Sequence, residues 1–144
     1  MDQVKLFREY TRELECHLAY LNQSDCCRCG INESQCFLVV EIGRKPGISI
    51  KELAEILRVD KSGISRGVEE LVQKGFVNRE PSREDRRSVA LSLTEKGETR
   101  FEKIENDMYL KFRTVLSGIP EDKRQQVLEA LEIYNEACRK TESK

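Results

Sequence analysis

Three cysteines lie close together in a short polar segment of this 144-residue chain, at Cys26, Cys27 and Cys29, and Cys36 follows seven residues later. Thiolates are soft metal ligands, and the Cys-x-Cys and Cys-x-x-Cys spacings both occur in this segment. Three thiolates would suit a thiophilic ion such as arsenite, or Zn²⁺ with Cys36 or His17 as the fourth ligand. The cysteines are therefore candidate ligands for a metal or metalloid, although the rest of the chain requires no cofactor.

Two other interpretations of these cysteines stay open. Arg28 lies between them and could lower the pKa of a neighbouring thiol, so that a second cysteine could resolve an oxidised sulfur as a disulfide. Free cysteine is otherwise a small buried hydrophobe, which suits Cys138 on the apolar stripe of the last predicted helix. The segment is thus a candidate metal site, a candidate redox sensor or an incidental cluster, and a helix surface explains His17 as well as ligation does.

A second group of polar residues opens a predicted helix over residues 61–74. A short turn joins this helix to the one before it, which would present it as a rod about the width of the DNA major groove. Lys61, Ser62, Ser65 and Arg66 lie opposite its apolar face. Serine hydroxyls can bond to phosphate or to base edges, arginine can bond to guanine with two N–H groups, and a helix N-terminus favours phosphate. The pattern predicts contacts with double-stranded DNA.

A basic loop between two predicted strands supplies a further group, with Arg83, Arg86 and Arg87 close together. Guanidinium groups on such a loop can enter the narrow minor groove, where the electrostatic potential is most negative. Asp85 cannot help by charge, and we expect it to accept hydrogen bonds from an arginine and so to fix the loop. A helix pair followed by a strand–loop–strand hairpin, called a wing, predicts a DNA-binding unit.

Composition restricts the class of protein. Charged residues are 35% and aromatic residues 6% of the chain, which favours a helical protein. The net charge is −1, so any DNA affinity must come from local placement of basic residues. No apolar run approaches the roughly 18 residues of a membrane span, and the charged N-terminus has no signal-peptide core. We therefore expect a cytoplasmic protein without a membrane partner, in which structural disulfides are rare.

The periodicity of apolar residues and the turn signals predict a mainly α fold with a small β-hairpin. The predicted elements are helices over 2–22, 32–43, 49–57 and 61–74, strands over 76–80 and 88–93, and helices over 94–118 and 120–140. Asn32 and Ser49 are predicted N-caps with capping boxes, Gly43 is predicted to end the second helix, and Pro120 to start the last one. The first and last two helices carry apolar stripes that the small central unit cannot cover alone, which indicates a partner surface.

Residues 48–97, ISIKELAEILRVDKSGISRGVEELVQKGFVNREPSREDRRSVALSLTEKG, resemble the core of the MarR family of bacterial winged-helix regulators. The most specific part is Asp-Arg-Arg at 85–87 followed by a strand and by LTEKG at 93–97. The flanking helices match as well, so that the resemblance covers nearly the whole chain. It implies a single domain in which residues 32–93 form the winged helix-turn-helix DNA-binding core, and residues 1–24 and 94–140 form dimerisation helices.

The resemblance also implies a function. Family members of this kind bind a pseudo-palindromic operator as homodimers, usually as repressors that a ligand or oxidation releases. By position, Ser62, Ser65 and Arg66 fall on the recognition helix, Arg86 on the wing arginine and Asp85 on its supporting acid. A small-molecule or metal inducer is an expected partner, and the cysteine segment is a candidate for the input.

Two other classes of function compete with a DNA-binding regulator. A winged helix can serve as a protein-interaction module without specific DNA binding, and the wing arginines would then be a solvated loop. An enzyme is not expected, because the chain has a single histidine, no glycine-rich phosphate loop and no nucleophile constellation.

Overall fold

A computed structural model describes residues 2–23, 30–85 and 87–142, and within them it is mainly helical with a two-stranded antiparallel hairpin. The elements in chain order are α1 (Gln3–Asn22), α2 (Glu33–Arg44), α3 (Ile50–Leu57), α4 (Lys61–Gln73), β1 (Val77–Pro81), β2 (Val89–Leu93), α5 (Glu95–Ser117), a 3₁₀ turn (Glu121–Lys123) and α6 (Arg124–Glu142). The predicted fold class is confirmed. None of the helices in these residues is both long and apolar enough to span a bilayer.

Two predicted element ends are wrong. Gly43, predicted to end α2 together with Pro46 and Gly47, lies inside the helix, which continues one residue further to Arg44 and has Lys45 as its C-cap. A Cβ at Gly43 would lie 2.6 Å from the ring of Phe101. Pro120 does not start the last α-helix but precedes the 3₁₀ turn, and α6 begins at Arg124.

The chain divides into two compact units, residues 1–108 and 109–144. The first unit contains the buried core, to which α2, α3, α4, the hairpin and the first half of α5 all contribute. Its apolar residues are less than a tenth exposed: Ile31, Cys36, Leu38, Val39, Ile42, Ile48, Leu53, Ile64, Val68, Leu71, Phe76, Val77, Leu91 and Ile104. This core holds the helix pair and the wing as one body.

Side-chain caps set the starts of α2 and α3 as predicted. The Asn32 side chain accepts from the Gln35 N–H at 2.9 Å, and the Gln35 side chain accepts from the Asn32 N–H at 3.1 Å. Ser49 and Glu52 repeat the arrangement at α3. Each box satisfies two N–H groups that a helix start would otherwise leave without partners.

In the hairpin, β1 pairs with β2 in antiparallel register. The paired residues run from Val77 opposite Leu93 to Pro81 opposite Val89. Pro81 ends β1, where a missing N–H is tolerated because only two strands pair. Leu91 extends the ladder on its other side, since its N–H donates to the Ile48 carbonyl at 3.0 Å and its carbonyl accepts from Gly47 at 2.7 Å. The root of the wing is therefore joined to the chain that enters α3.

The segment LTEKG connects the wing to α5. Thr94 caps the helix, because its hydroxyl accepts from the Gly97 N–H at 3.0 Å and donates to the Gly75 carbonyl at 2.6 Å. The Lys96 ammonium donates to the Lys74 carbonyl at 2.9 Å and lies 4.4 Å from the centre of the Phe76 ring. The first turn of α5 thereby fixes the loop that follows α4.

Large apolar side chains remain exposed on α1, α5 and α6. Examples are Tyr20 on α1 (74%), Tyr109 on α5 (65%) and Ile133 on α6 (71%). Neither α1 nor α6 contains a buried residue. The apolar stripes of α1 and α6 are thus not buried in the single chain, whereas that of α5 is buried at Ile104 and exposed at Phe112 and Val115.

Candidate nucleic-acid interface

The N-terminus of α4 is built on Asp60, which the sequence interpretation assigned only to the preceding turn. Its carboxylate accepts from the Gly63 N–H at 3.3 Å and from the Ser62 hydroxyl. These hydrogen bonds, that of Ser62 first, lower the pKa of Asp60 below its ordinary value. An aspartate directly before a helix start was the signal that could have identified this cap.

The recognition face of α4 follows from which side of the helix the core covers. Ile64, Val68 and Leu71 are buried, whereas the four residues predicted to meet DNA are all exposed: Lys61, Ser62, Ser65 and Arg66. They occupy the first two turns, where the helix dipole favours phosphate. The structure therefore brings these four side chains together on one accessible face.

Gly67 allows α4 to approach α2 closely. A Cβ at this position would lie 2.7 Å from Cδ1 of Leu38, which is buried beneath it. The residue costs helix stability relative to alanine but permits the contact. This packing helps to fix the direction in which Ser65 and Arg66 point.

The loop of the wing is ordered by main-chain hydrogen bonds around Asp85. Its side chain accepts from the Arg87 N–H at 3.0 Å, and its carbonyl accepts from the Ser88 N–H at 3.0 Å. The hydroxyl of Ser82 in turn accepts from the Asp85 N–H at 3.4 Å. Asp85 thus holds the backbone of an arginine, as an acceptor that fixes the loop.

The wing carries arginines at its tip and on its first strand. Arg83 and Arg87 are exposed at the tip. Arg86, the predicted wing arginine, lies outside the described residues. Below the tip, the guanidinium of Arg79 on β1 forms an ion pair with Glu69 on α4, which joins the wing to the recognition helix. This exposed pair contributes little stability by itself but adds a contact between β1 and α4.

A concave surface of about 650 Å³ lies between the start of α3, the start of α4 and the wing. Its basic residues are Lys51, Lys61 and Arg87, of which Lys51 was not singled out from the sequence. Its acidic residues are Glu52, Glu55, Glu84 and Asp85. Glu52 is bonded to Lys45, which with the Ser49 N–H lowers the pKa of the Glu52 carboxyl. Among its lining residues that the structure describes, acidic and basic side chains are nearly equal in number.

The structure places two of the predicted cysteine-site residues, Cys36 and His17, in different surroundings. Cys26, Cys27 and Cys29 lie outside the described residues. Cys36 is 7% exposed in the apolar core, while His17 is exposed on α1 with Nε2 at 3.4 Å from a Glu13 carboxylate oxygen. Within residues 2–23, 30–85 and 87–142, no group of three or more His, Cys, Asp or Glu side chains is arranged to hold a metal ion.

A recognition helix seated on a capped turn, with a two-stranded wing beside it, defines a winged helix-turn-helix protein. Comparison with known proteins supports this class. Residues 31–89 match the MarR family model. The chain is 38% identical over 103 residues to the HTH-type transcriptional regulator BilQ of Clostridium symbiosum, a match that covers 72% of each protein. The chain therefore belongs to the MarR family of transcriptional regulators, as its sequence resemblance implied.

Two further relatives extend the comparison. The HTH-type transcriptional repressor MdtR of Bacillus subtilis is 29% identical over 75 residues, which span 52% of this chain and 48% of MdtR. The crystal structure of Streptococcus pneumoniae FabT in complex with DNA has a TM-score of 0.81 and 19% identity, covering 96% of this chain and 99% of FabT. At that identity the likeness to FabT shows the fold.

Proposed function

We propose that this MarR-family regulator is a homodimeric repressor that binds a pseudo-palindromic operator, with α4 in the major groove and the wing in the adjacent minor groove. The observation that carries the proposal is the exposure of Lys61, Ser62, Ser65 and Arg66 on one face of a helix whose opposite face is in the core. Ser65 and Arg66 are one turn inside the helix, where side chains meet base edges. Lys61 is at its first residue, where a phosphate is expected.

The wing contributes a second contact through Arg83, Arg86 and Arg87. Asp85 holds the main chain at Arg87, which restricts where that guanidinium can reach and so lowers the entropy cost of inserting it into a groove. The lining residues that the structure describes are nearly balanced in charge, so we expect that part of the surface to contribute little non-specific affinity. Base contacts from α4 then carry a larger share of the total binding energy.

Dimerisation is supported by the apolar side chains that α1, α5 and α6 leave exposed. A second copy of the chain would cover them, and a two-fold axis would place two α4 helices about one turn of DNA apart. DNA binding and repression are both represented among similar proteins, since FabT was solved in complex with DNA and MdtR is a repressor. Both observations support the proposal for this chain.

The operator test measures fluorescence anisotropy of a labelled duplex from the regulator's own promoter region. Arg66→Ala and Arg86→Ala should each weaken specific binding by about tenfold or more, because one base or groove contact is worth about 1–3 kcal/mol. The matched control is Arg44→Ala, an exposed arginine in the last turn of α2. A protein-interaction module, the alternative function, would show no specific binding and no difference among the three variants.

We propose the cysteine segment as the input that releases the operator, by binding a metal or metalloid at Cys26, Cys27 and Cys29 or by their oxidation. The burial of Cys36 favours a structural role for that thiol, so we expect the three upstream cysteines to suffice. Elemental analysis and thiol counting on protein purified without chelator distinguish the two chemistries. Bound metal near one per chain supports ligation, disulfides support oxidation, and neither, together with unchanged operator affinity after thiol blocking, contradicts the proposal.

A further inference from the structure

Gln35 is the one buried polar residue among those the structure describes, with 2% of its surface exposed. Part of its bonding serves the capping box of α2, since its side-chain oxygen accepts from the Asn32 N–H at 3.1 Å. A capping box needs only this one oxygen and is commonly formed at an exposed helix start. The burial of the whole amide therefore points to a further task.

The remaining bonds of Gln35 reach the recognition helix. Its Nε2 donates to a carboxylate oxygen of Glu70 at 2.5 Å, and its oxygen also accepts from the Lys74 ammonium at 3.2 Å. Glu70 lies in the last turn of α4, and Lys74 is the C-cap residue of that helix. One buried amide thus connects the start of α2 with the end of α4 through two bonds to charged groups.

Lys74 extends the connection to the chain that precedes α2. Its ammonium donates to the Gly30 carbonyl at 2.6 Å. Gly30 has a left-handed backbone with φ of +86°, and Ile31 after it is buried in the core at 2% exposure. The position of residues 30–32 is therefore fixed directly against the end of the recognition helix.

We propose that Gln35 and Lys74 are positioning residues that transmit a displacement of residues 30–32 to α4 and so change its affinity for DNA. Losing Lys74 or Glu70 as a partner would leave the buried amide of Gln35 with fewer hydrogen bonds than it needs, which costs free energy. A rigid helix whose C-terminal end shifts carries Ser65 and Arg66 with it, and base contacts tolerate little displacement. This inference rests on DNA reading by α4 and supplies the route by which the adjoining cysteine segment would act.

The test changes the backbone at Gly30, where an ideal Cβ would meet no atom of the described residues within 4 Å. Gly30→Val disfavours the left-handed conformation and moves the carbonyl away from Lys74, whereas Gly30→Asn tolerates that conformation and serves as the matched control. Gly30→Val should weaken operator binding about tenfold, the value of one impaired base contact from α4, while Gly30→Asn should bind as the unaltered protein does.

The decisive comparison repeats the pair of changes in a Lys74→Met background. With the ammonium removed, Gly30→Val should have no further effect, whereas in a Lys103→Met background, which removes an exposed lysine of α5, the tenfold loss should persist. An equal loss in the Lys74→Met and Lys103→Met backgrounds would overturn the inference.

Hydrogen exchange of the α4 amides provides a second readout that needs no DNA. Gly30→Val should increase exchange over residues 64–73 only when Lys74 is present, and an increase that is independent of Lys74, or no increase, would contradict the coupling. If the unaltered protein binds no operator, the proposed function fails, while this exchange pattern still decides whether residues 30–32 are coupled to α4.

Discussion

Gly97→Ala should loosen the junction between the wing and α5. A Cβ at Gly97 would lie 2.1 Å from the Phe76 carbonyl oxygen and 3.1 Å from Cβ of Leu93. Carbon–oxygen contacts are normally about 3.3 Å or more, so the Phe76 carbonyl must retreat by about 1 Å. That oxygen accepts from the Thr94 N–H at 3.0 Å, a bond that this shift would break.

The expected cost of the substitution follows from three contributions. Overpacking costs about 1–3 kcal/mol, the lost main-chain hydrogen bond costs about 1 kcal/mol, and alanine returns about 1 kcal/mol of helix propensity. The free energy of unfolding should therefore fall by about 2 kcal/mol. Because Phe76 directly precedes β1, the retreat of its carbonyl also displaces the root of the wing, and operator binding should weaken in the protein that remains folded.

Urea denaturation followed by circular dichroism measures the first effect, and anisotropy at a temperature well below the unfolding transition measures the second. The control is Glu102→Ala, at an exposed position more than one turn after Gly97 in α5. It should change the free energy of unfolding by less than about 0.5 kcal/mol. If Gly97→Ala matched Glu102→Ala in both assays, the close contact between α5 and the entry to β1 would be refuted.

Three further changes separate the roles of two proposed DNA contacts and of the residue that caps α4. Arg66→Ala should cost about 1–3 kcal/mol and relax base preference at one position of each half-site, which a panel of single-substituted operators measures. Arg87→Ala should instead weaken binding to all duplexes alike, and should lower the slope of log affinity against log salt by about 0.9 if the residue meets one phosphate. For Asp60 the folded pKa is lowered, so its ionised form stabilises the α4 start above the ordinary pKa of 3.8 and this contribution is lost as pH falls through the folded value. The difference in urea midpoint between the unaltered protein and Asp60→Ala should therefore shrink below pH 3.8.

Local chemistry made most of the fold predictable from the sequence. Asn32 with Gln35 and Ser49 with Glu52 satisfy helix N–H groups within four residues of each other, so neighbours in sequence contain the information. The hairpin was similarly predictable from the alternation of side chains in β2. The exposed face of α4 followed from its apolar period, because the side opposite a buried stripe must meet solvent.

Features that depend on distant residues were not predictable in this way. Gly43 resembled a helix end, but its role is set by Phe101, more than fifty residues later in the chain. The partnership of Gln35 with Lys74 spans a separation of 39 residues and leaves no trace in local periodicity. Pro120 is compatible with the start of either an α-helix or a 3₁₀ turn, so the residue type alone does not decide between the two structures.

Selection of bound sequences from a pool of random duplexes tests the central claim most directly, because the pool contains every candidate half-site and no operator has to be chosen beforehand. The proposal predicts enrichment of an inverted repeat whose half-site centres lie about 10 base pairs apart, bound by two chains per duplex. Arg66→Ala should enrich a repeat that is degenerate at one position in each half. Absence of any enriched sequence, or a single half-site bound by one chain, would contradict the account.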